Sequence, residues 1–291
     1  MNKIFYISLL ILISHSVVGQ YIPLMNGYFK SNQFYNPAAA GMNEHLVGYT
    51  GLRKQWIKIN GAPSTQMLAF DSPLSNQRHG LGGIYYRDKI GVTTTNGLQL
   101  NYAYRTRVSR RMKFSFGVNF GLENAMYNIS EIELIDKSDQ TFSKEFGSSN
   151  KVKIGAGVML YDKKMVVGLS INDFIKESKF GNILAYAQYK KKLNRDWVFL
   201  PGVLLKANYL LIAQAELSML MTYQKQISFS LGFRTNGSII AGVGFKPTKQ
   251  LLVMYYYDYV GGRIRKFTSG SHELTLKYDF IKQYRSSSPR F

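Results

Sequence analysis

Residues 112–123, MKFSFGVNFGLE, carry the pattern that decides the fold. Methionine, phenylalanine, valine and leucine fill the even positions, whereas lysine, serine, glycine, asparagine and glutamate fill the odd ones. Side chains of a β-strand point alternately to its two faces, so a period of two predicts a strand with one apolar and one polar face. The same alternation appears along residues 98–105, 226–233, 239–246 and 273–280.

Following this pattern outward predicts an even number of strands and no helix in the mature chain. The fourteen predicted strands are 44–56, 64–71, 79–88, 93–107, 111–129, 150–161, 165–171, 181–192, 196–206, 210–223, 226–234, 237–247, 249–259 and 270–280.

The connections between these strands fall into two classes. The longest ones, 130–149, 172–180 and 260–269, all follow odd-numbered strands, while tight turns such as 162–164 and 224–225 follow even-numbered strands. Long loops on one side and short turns on the other are typical of an outer-membrane barrel. In such a barrel the turns and both termini of this chain are expected to be periplasmic.

A soluble β-fold shows the same alternation, so the polar face must distinguish the two. Here that face is rich in Gly, Ser, Asn and Thr and poor in charge, unlike the surface of a soluble protein. Aromatic residues near strand ends favour interfacial girdles; they are Tyr102, Tyr104, Tyr255, Tyr257, Tyr259, Tyr278 and Phe280. The sequence therefore predicts an all-β chain: a transmembrane antiparallel outer-membrane β-barrel of about 14 strands, with a non-barrel N-terminal segment.

The N-terminus indicates export. Lys3 precedes the apolar run 4–13, and Val17, Val18 and Gly19 place small or medium-sized side chains just before a cleavage site after Gly19. This arrangement is typical of a cleaved signal peptide. The apolar run is about half of the ~20 residues that a membrane-spanning helix needs. We expect a signal peptide at 1–19, a periplasmic or plug-like segment at 20–43, the barrel at 44–280, a periplasmic tail at 281–291, and location in the outer membrane.

Composition excludes several classes of protein. The 14% aromatic content is too high for a disordered chain, and the absence of cysteine excludes disulfides, thiolate metal sites and cysteine nucleophiles. The chain has a formal charge of +20, and its basic residues form clusters at three predicted periplasmic turns: Arg107, Arg110 and Arg111; Lys163 and Lys164; Lys190, Lys191, Lys192 and Arg195. We consider two interpretations of these clusters. They contact anionic head groups or an acidic periplasmic partner, or they are solvated turn residues without a binding role. An exported chain without a basic recognition helix is not expected to bind nucleic acid.

The sequence offers no catalytic residue and no cofactor or metal site. His45, His79 and His272 are far apart, and no hydrolase or nucleotide-binding motif is present. Ser271 and His272 are neighbours on a predicted strand, so they point to opposite faces and are not expected to form a dyad. The acidic loop at 130–149 leaves calcium binding open, although its spacing is not that of an EF-hand.

A set of short motifs resembles one family in order along the chain. They are Asn36, Pro37, Ala38 and Gly41; Gln55 and Trp56; Gly61, Ala62, Pro63, Ser64 and Thr65; Gly80, Leu81, Gly82 and Gly83 with Asp88, Ile90 and Gly91; Tyr102, Ala103, Tyr104 and Arg105; and Ser271, His272 and Glu273. Together they are similar to the PorP/SprF membrane proteins of the type IX secretion system of Bacteroidetes.

The resemblance implies a non-enzymatic outer-membrane component of the secretion and gliding machinery. Such a protein captures or anchors a secreted cell-surface adhesin through the adhesin's type B C-terminal domain, with membrane lipid and other secretion components as further partners. We hypothesise capture at the extracellular mouth or in the lumen. The short connections 207–209 and 235–236 predict a low wall that offers strand ends for pairing.

The alternative is a passive porin that prefers anions. The candidate cations of the lumen are Arg105, Lys113, Lys153, Lys206, Arg234, Lys246 and Lys277, and the candidate anions are Glu123, Glu216, Asp258, Glu273 and Asp279. An open lumen with this excess of cations would favour anions. The sequence does not decide whether the lumen is open or filled.

Overall fold

A computed structural model describes residues 25–27, 30–74, 76–128, 147–173, 182–207 and 213–281. The signal peptide predicted at 1–19, most of the acidic loop and all but one residue of the predicted C-terminal tail lie outside these residues.

The described chain is a closed antiparallel barrel, which confirms the predicted fold class. Its strands are β1 (Leu46–Lys54), β2 (Ser64–Pro73), β3 (His79–Ile90), β4 (Thr93–Arg107), β5 (Lys113–Tyr127), β6 (Ser148–Tyr161), β7 (Met165–Asn172), β8 (Asn182–Tyr189), β9 (Lys191–Lys192), β10 (Trp197–Ala207), β11 (Ala213–Tyr223), β12 (Ile227–Arg234), β13 (Ile239–Phe245), β14 (Leu251–Tyr259) and β15 (Ser271–Phe280). Apart from β8 and β9, which both pair with β10, each strand pairs with its sequence neighbours, and β15 closes the barrel on β1.

One predicted strand, 181–192, is interrupted in the structure. β8 and β9 pair with β10 in one continuous register and together form a single wall element, so the barrel has 14 strands. That register places Pro201 of β10 opposite the end of β8. Proline has no N–H to donate to the ladder, which accounts for the break. On the opposite side of this strand the pairing with β7 continues through the break, because the Lys190 amide donates to the Lys164 carbonyl at 2.6 Å.

The apolar faces of the strands point outward. Leu98, Leu100, Phe116 and Leu122 are each about half exposed, whereas Asn101, Ser115, Asn119 and Glu123 on the alternate positions are buried. A soluble sandwich would bury the apolar set instead. The outward face is therefore the lipid-facing one, and the polar face lines the lumen.

Aromatic clusters stand near the ends of the strands on the outer face. His79 lies between Tyr102 and Tyr104, with ring centroids 5.9 and 5.3 Å away, and its Nδ1 is 2.6 Å from the Tyr102 hydroxyl. His272 is placed in the same way between Tyr255 and Tyr257 at the opposite end of the barrel. Both clusters are suited to the boundary between hydrocarbon and water.

The two ends of the barrel differ in their connections. We call the end where β1 begins and β15 ends the proximal end, and the other the distal end. Counted between the strand bounds, the proximal connections span 74–78, 108–112, 162–164, 193–196, 224–226 and 246–250, and the distal ones span 55–63, 91–92, 128–147, 173–181, 208–212, 235–238 and 260–270. Of these, 129–146, 174–181 and 208–212 lie outside the described residues. Among the described residues, no helix is long and apolar enough to cross a membrane.

The outward apolar face predicts how charge is tolerated there. Leu100 lies midway along the outer face of β4, so Leu100→Arg should destabilise the barrel by about 2–4 kcal/mol in a bilayer, whereas Thr94→Arg, near the distal end of the same face, should cost at most about 1 kcal/mol. Urea unfolding of the protein in liposomes measures both. Equal losses for the two variants would contradict the assignment of this face to lipid.

Candidate functional site in the barrel lumen

The lumen contains the N-terminal segment. Residues 25–27 and 30–43, which we call the plug, lie inside the barrel, and Asn36, Ala38 and Ala40 have no exposed surface. Two one-turn 3-10 helices, Asn32–Phe34 and Pro37–Ala39, add helical turns that the sequence pattern did not predict. The helix Pro37–Ala39 packs mainly against β4, β5 and β6.

Asn36 ties the plug to two strands of the wall. Its Oδ1 accepts the Ala38 amide at 2.9 Å and caps the turn that Pro37 begins. Its Nδ2 donates to the Val158 carbonyl at 2.9 Å and to the Leu169 carbonyl at 3.3 Å. One buried amide therefore orders the turn and fixes its position against β6 and β7, and both its oxygen and its nitrogen are used.

A second contact holds the end of the plug. The Gly41 amide donates to Asp71 Oδ1 at 2.8 Å, and the Arg105 guanidinium donates to the carbonyls of Ala40 and Gly41. Gly41 has a φ of +68°, and a Cβ there would lie 2.7 Å from the backbone of Ser72 and Pro73. Only glycine fits this conformation and this gap without strain.

The lumen face provides room for the plug because its residues are small. A Cβ added at Gly117 would lie 2.2 Å from the Ala38 nitrogen, and one added at Gly157 would lie 2.1 Å from Asn36 Oδ1. Ser115 Oγ donates to the Ala38 carbonyl at 2.7 Å. The glycine and serine positions of the alternating pattern are therefore the surface on which the plug backbone rests.

Charged side chains join the wall around the other end of the plug. Arg53 pairs with Asp258 at 2.8 Å and with Glu273 at 3.0 Å, and Arg234 pairs with Asp258 at 2.7 Å and with Glu216 at 2.6 Å. These five side chains are at most 8% exposed. Removing one member would leave a buried charge without its partner, which is strongly unfavourable.

Glu273 also contacts the plug. Its carboxylate accepts the amide of Asn26 at 2.8 Å and that of Gly27 at 3.2 Å, and Arg234 donates to the Asn26 side chain. The buried network of the wall therefore holds residues 25–27 directly.

The surroundings shift the pKa values of two side chains in the segment before β1, Tyr35 and Glu44. Burial raises the pKa of Tyr35, so its hydroxyl stays protonated and donates to the Met25 carbonyl within the plug. The hydrogen bond from Lys113 Nζ, 3.0 Å from Glu44 Oε1, lowers the pKa of Glu44. Glu44 lies at the proximal mouth and remains largely exposed.

The structure separates the residues of the family motifs into three places. Asn36, Pro37, Ala38 and Gly41 lie in the plug, with Arg105 and Glu273 on the wall that holds it. A second group lies in or beside distal connections: Gln55, Trp56, Pro63 and Gly91. There the Gly91 amide donates to the Gly61 carbonyl at 2.7 Å, and the Trp56 amide donates to Ser271 Oγ at 3.2 Å. Tyr102 and His272 face outward, and Asp88 accepts from Thr65 in the distal part of the lumen.

Most of the candidate lumen charges form ion pairs or hydrogen bonds within the protein. Glu123 accepts from Lys153 and from Tyr86, Asp279 pairs with Lys277 at 3.1 Å and with His45 at 3.0 Å, and Lys113 pairs with Glu44. Lys206 is buried beside the network of Arg234 and Glu216, and Lys246 is half-buried.

Sequence reasoning missed Arg53 and Asp71, although a signal for both was available. Each occupies a lumen-facing position of its strand, in step with Tyr49 and Gly51 on β1 or with Met67 and Ala69 on β2. They were not counted among the lumen charges. With Arg53, Asp71 and Asp88 included, seven cations against five anions become eight against seven, so the excess of cations that the porin interpretation needs becomes smaller.

Ser271 and His272 lie on opposite faces of β15. Ser271 is buried on the lumen side, whereas His272 contacts Tyr255 on the outer face. Within the described part of the chain, no group of three or more His, Cys, Asp or Glu side chains could hold a metal ion. The acidic loop 130–149, for which calcium was left open, lies mostly outside the described residues.

These features define the chain as an outer-membrane β-barrel with its N-terminal segment in the lumen. The model of the family described as "Type IX secretion system membrane protein PorP/SprF" matches residues 17–278, so the chain belongs to that family and is an outer-membrane protein of the type IX secretion system. The resemblance inferred from the sequence motifs is thereby confirmed. No curated protein matches the chain.

Solved structures share the fold at low sequence identity. The outer membrane protein Omp33 of Acinetobacter baumannii is 7% identical with a TM-score of 0.52, and the alignment covers 81% of this chain and 98% of that one. A Pseudomonas aeruginosa FadL homologue is 10% identical and the Ralstonia pickettii toluene transporter TbuX is 11% identical; each has a TM-score of 0.50 and covers 87% of this chain and 94% of its own. These similarities concern the barrel alone.

The contact between the plug and Gly117 can be tested with a single added methyl group. Overpacking costs about 1–3 kcal/mol, so Gly117→Ala should loosen the plug and raise the accessibility of its residues about tenfold. Since the chain has no cysteine, Ser31→Cys provides a clean reporter for maleimide labelling. Gly83→Ala is the matched control, because a Cβ there meets nothing within 4 Å. Equal labelling rates in both backgrounds would show that Gly117 does not support the plug.

Proposed function

We propose that this barrel captures or anchors a secreted cell-surface adhesin through the adhesin's type B C-terminal domain, as a non-enzymatic component of the type IX secretion and gliding machinery. The observation that carries the proposal is the occupied lumen. A wall that binds its own N-terminal segment through buried Asn36, Arg105 and Glu273 is suited to holding a partner at its mouth rather than to passing solutes.

The distal end supplies the docking surface in this proposal. The connection 260–270 contains the 3-10 helix Arg263–Phe267, in which Phe267 is 70% exposed. Arg265 stacks over the ring of Tyr259 at 4.6 Å, so its charge is held beside this aromatic surface. An exposed aromatic residue close to two arginines in the same short helix is the composition that binding hot spots favour.

This connection is also braced by its neighbours. The Ile57 amide donates to the Gly270 carbonyl at 2.9 Å, and the Ser269 amide to the Ile57 carbonyl at 3.1 Å, which extends pairing beyond β1 and β15. Gly261 packs on Gly237, where a Cβ at residue 261 would lie 2.3 Å from the Gly237 carbonyl oxygen. The turn 235–238 between β12 and β13 is short, and the connection 260–270 rests against it.

In this proposal the distal end is extracellular and both termini are periplasmic. The contrast between short proximal turns and longer distal connections supports that orientation. An adhesin domain would then meet residues 263–267 as it emerges on the cell surface, and membrane lipid and other secretion components would surround the barrel.

Replacing residues 263–267 with a Gly-Ser linker of equal length should reduce surface display of the adhesin about tenfold or more, because loss of one hot-spot aromatic side chain commonly costs 2 kcal/mol or more. Antibody labelling of intact cells, normalised to the amount of barrel in the outer membrane, measures display. The matched control is Lys163→Gln with Lys164→Gln in a proximal turn. Unchanged display would remove this connection from the capture site, and unchanged display without the barrel would refute the function.

Single-channel recording separates the anchor from the passive porin. The wild-type protein in a planar bilayer should be electrically silent, because the plug fills the lumen and most lumen charges are paired. Arg105→Met, which removes the donors to the Ala40 and Gly41 carbonyls, should instead give intermittent current as the plug loosens. A steady anion-selective current from the wild type would favour the porin.

A further inference from the structure

A cavity of about 660 Å³ opens at the proximal end beside the plug. Its lining comes from the β2–β3 connection, from the end of β4 and from the start of β5, and consists of Asn76, Gln77, Arg78, Arg105, Thr106, Arg107 and Lys113. Four of these side chains are cationic and none is a carboxylate. We call this cavity the basic pocket.

Positive charge in the basic pocket is only partly balanced. Lys113 pairs with Glu44 at 3.0 Å, and the buried Arg105 guanidinium faces the plug carbonyls, with Asp71 on the other side of Gly41. Arg78 and Arg107 are exposed and form no ion pair in the described chain. The pocket therefore presents two arginines whose charge is not neutralised by the protein.

Strand alternation decides which phase this pocket faces. Arg105 pairs in register with Ser115, and Arg107 with Lys113, in the row of positions that points to the lumen. Ser115 contacts the plug from that side, whereas Thr106 points outward. Lipid head groups outside the wall face Thr106 rather than Arg105 and Arg107, so a ligand of these two arginines approaches from the aqueous compartment at the proximal end.

We propose that the basic pocket binds an acidic peptide segment of a partner protein in that compartment. The planar guanidinium groups of Arg78 and Arg107 match carboxylates in bidentate geometry, and the polar side chains of Asn76 and Gln77 provide further hydrogen bonds. The exposed Arg110 and Arg111 of the next turn add a field that attracts such a segment over a longer range.

This site also touches the attachment of the plug. Arg105 lines the pocket and holds the Ala40 and Gly41 carbonyls, so a bound carboxylate would lie next to the residue that clamps the plug. Neutralising the neighbouring arginines removes repulsion between them and Arg105. A partner at the proximal end is therefore positioned to influence how firmly the plug is held.

Binding of a fluorescein-labelled hexaglutamate peptide to the full-length protein in zwitterionic nanodiscs tests the proposal by fluorescence anisotropy. Arg78→Gln with Arg107→Gln should weaken binding about tenfold or more, since each charge-assisted hydrogen bond is worth about 1.5–3 kcal/mol. Neither residue holds the plug through its side chain. The matched control is Arg110→Gln with Arg111→Gln, which removes the same charge from the same end, outside the pocket, and should change affinity less than about threefold.

Three results would overturn the proposal. Equal losses in the two double variants would show attraction by net charge alone, and absence of wild-type binding at about 1 mM peptide would show that no site exists. Displacement of the peptide by anionic lipid in the nanodisc, but not by a tenfold excess of unlabelled peptide, would assign the arginines to head groups. None of these results depends on the adhesin, so the proposed function is tested separately.

Discussion

The whole arrangement depends on one constraint: polar groups enclosed by a membrane barrel must find their partners inside the protein. Hydrocarbon faces the outer surface, so the seven carboxylates of the described strands all point into the lumen, and most are engaged with arginine, lysine or plug amides. The plug also helps to satisfy the hydrogen-bonding groups enclosed by the barrel. Asn36 supplies donors and acceptors to the carbonyls of the wall, and glycines such as Gly117 let the two backbones approach.

Local patterns predicted the barrel well because a strand in lipid has a period that can be read residue by residue. The alternation at 112–123 marks β5 almost to its ends, and the segregation of connections predicts closure. The sequence did not predict features that depend on a residue of the neighbouring strand. The break at Lys190 depends on Pro201, which lies on the next wall element and has no signal near residue 190.

The site was less predictable for the same reason. Asn36, Pro37 and Gly41 could be singled out because a turn with these residues departs from the period of two, and Arg105 appeared among the lumen charges. That Arg53 meets Glu273, 220 positions away, follows only from the closed register. That Arg105 meets Ala40, 65 positions away, follows only from the docking of the plug inside the barrel. Asp71 was missed although its alternation was readable, because a single carboxylate near a strand end has no motif around it. We propose that the two ends carry the function: a braced aromatic surface at the distal mouth and a basic pocket at the proximal one, with the plug between them.

Hydrogen–deuterium exchange of the native protein in nanodiscs tests the central claim most directly. If the plug is docked on the wall, the amides of Ala38, Ala40 and Gly41 should exchange at least about 100-fold more slowly than in an unstructured peptide, at rates close to those of the barrel strands. Exchange of these amides at unstructured rates, while β4 and β5 remain protected, would contradict a lumen filled by its own N-terminal segment.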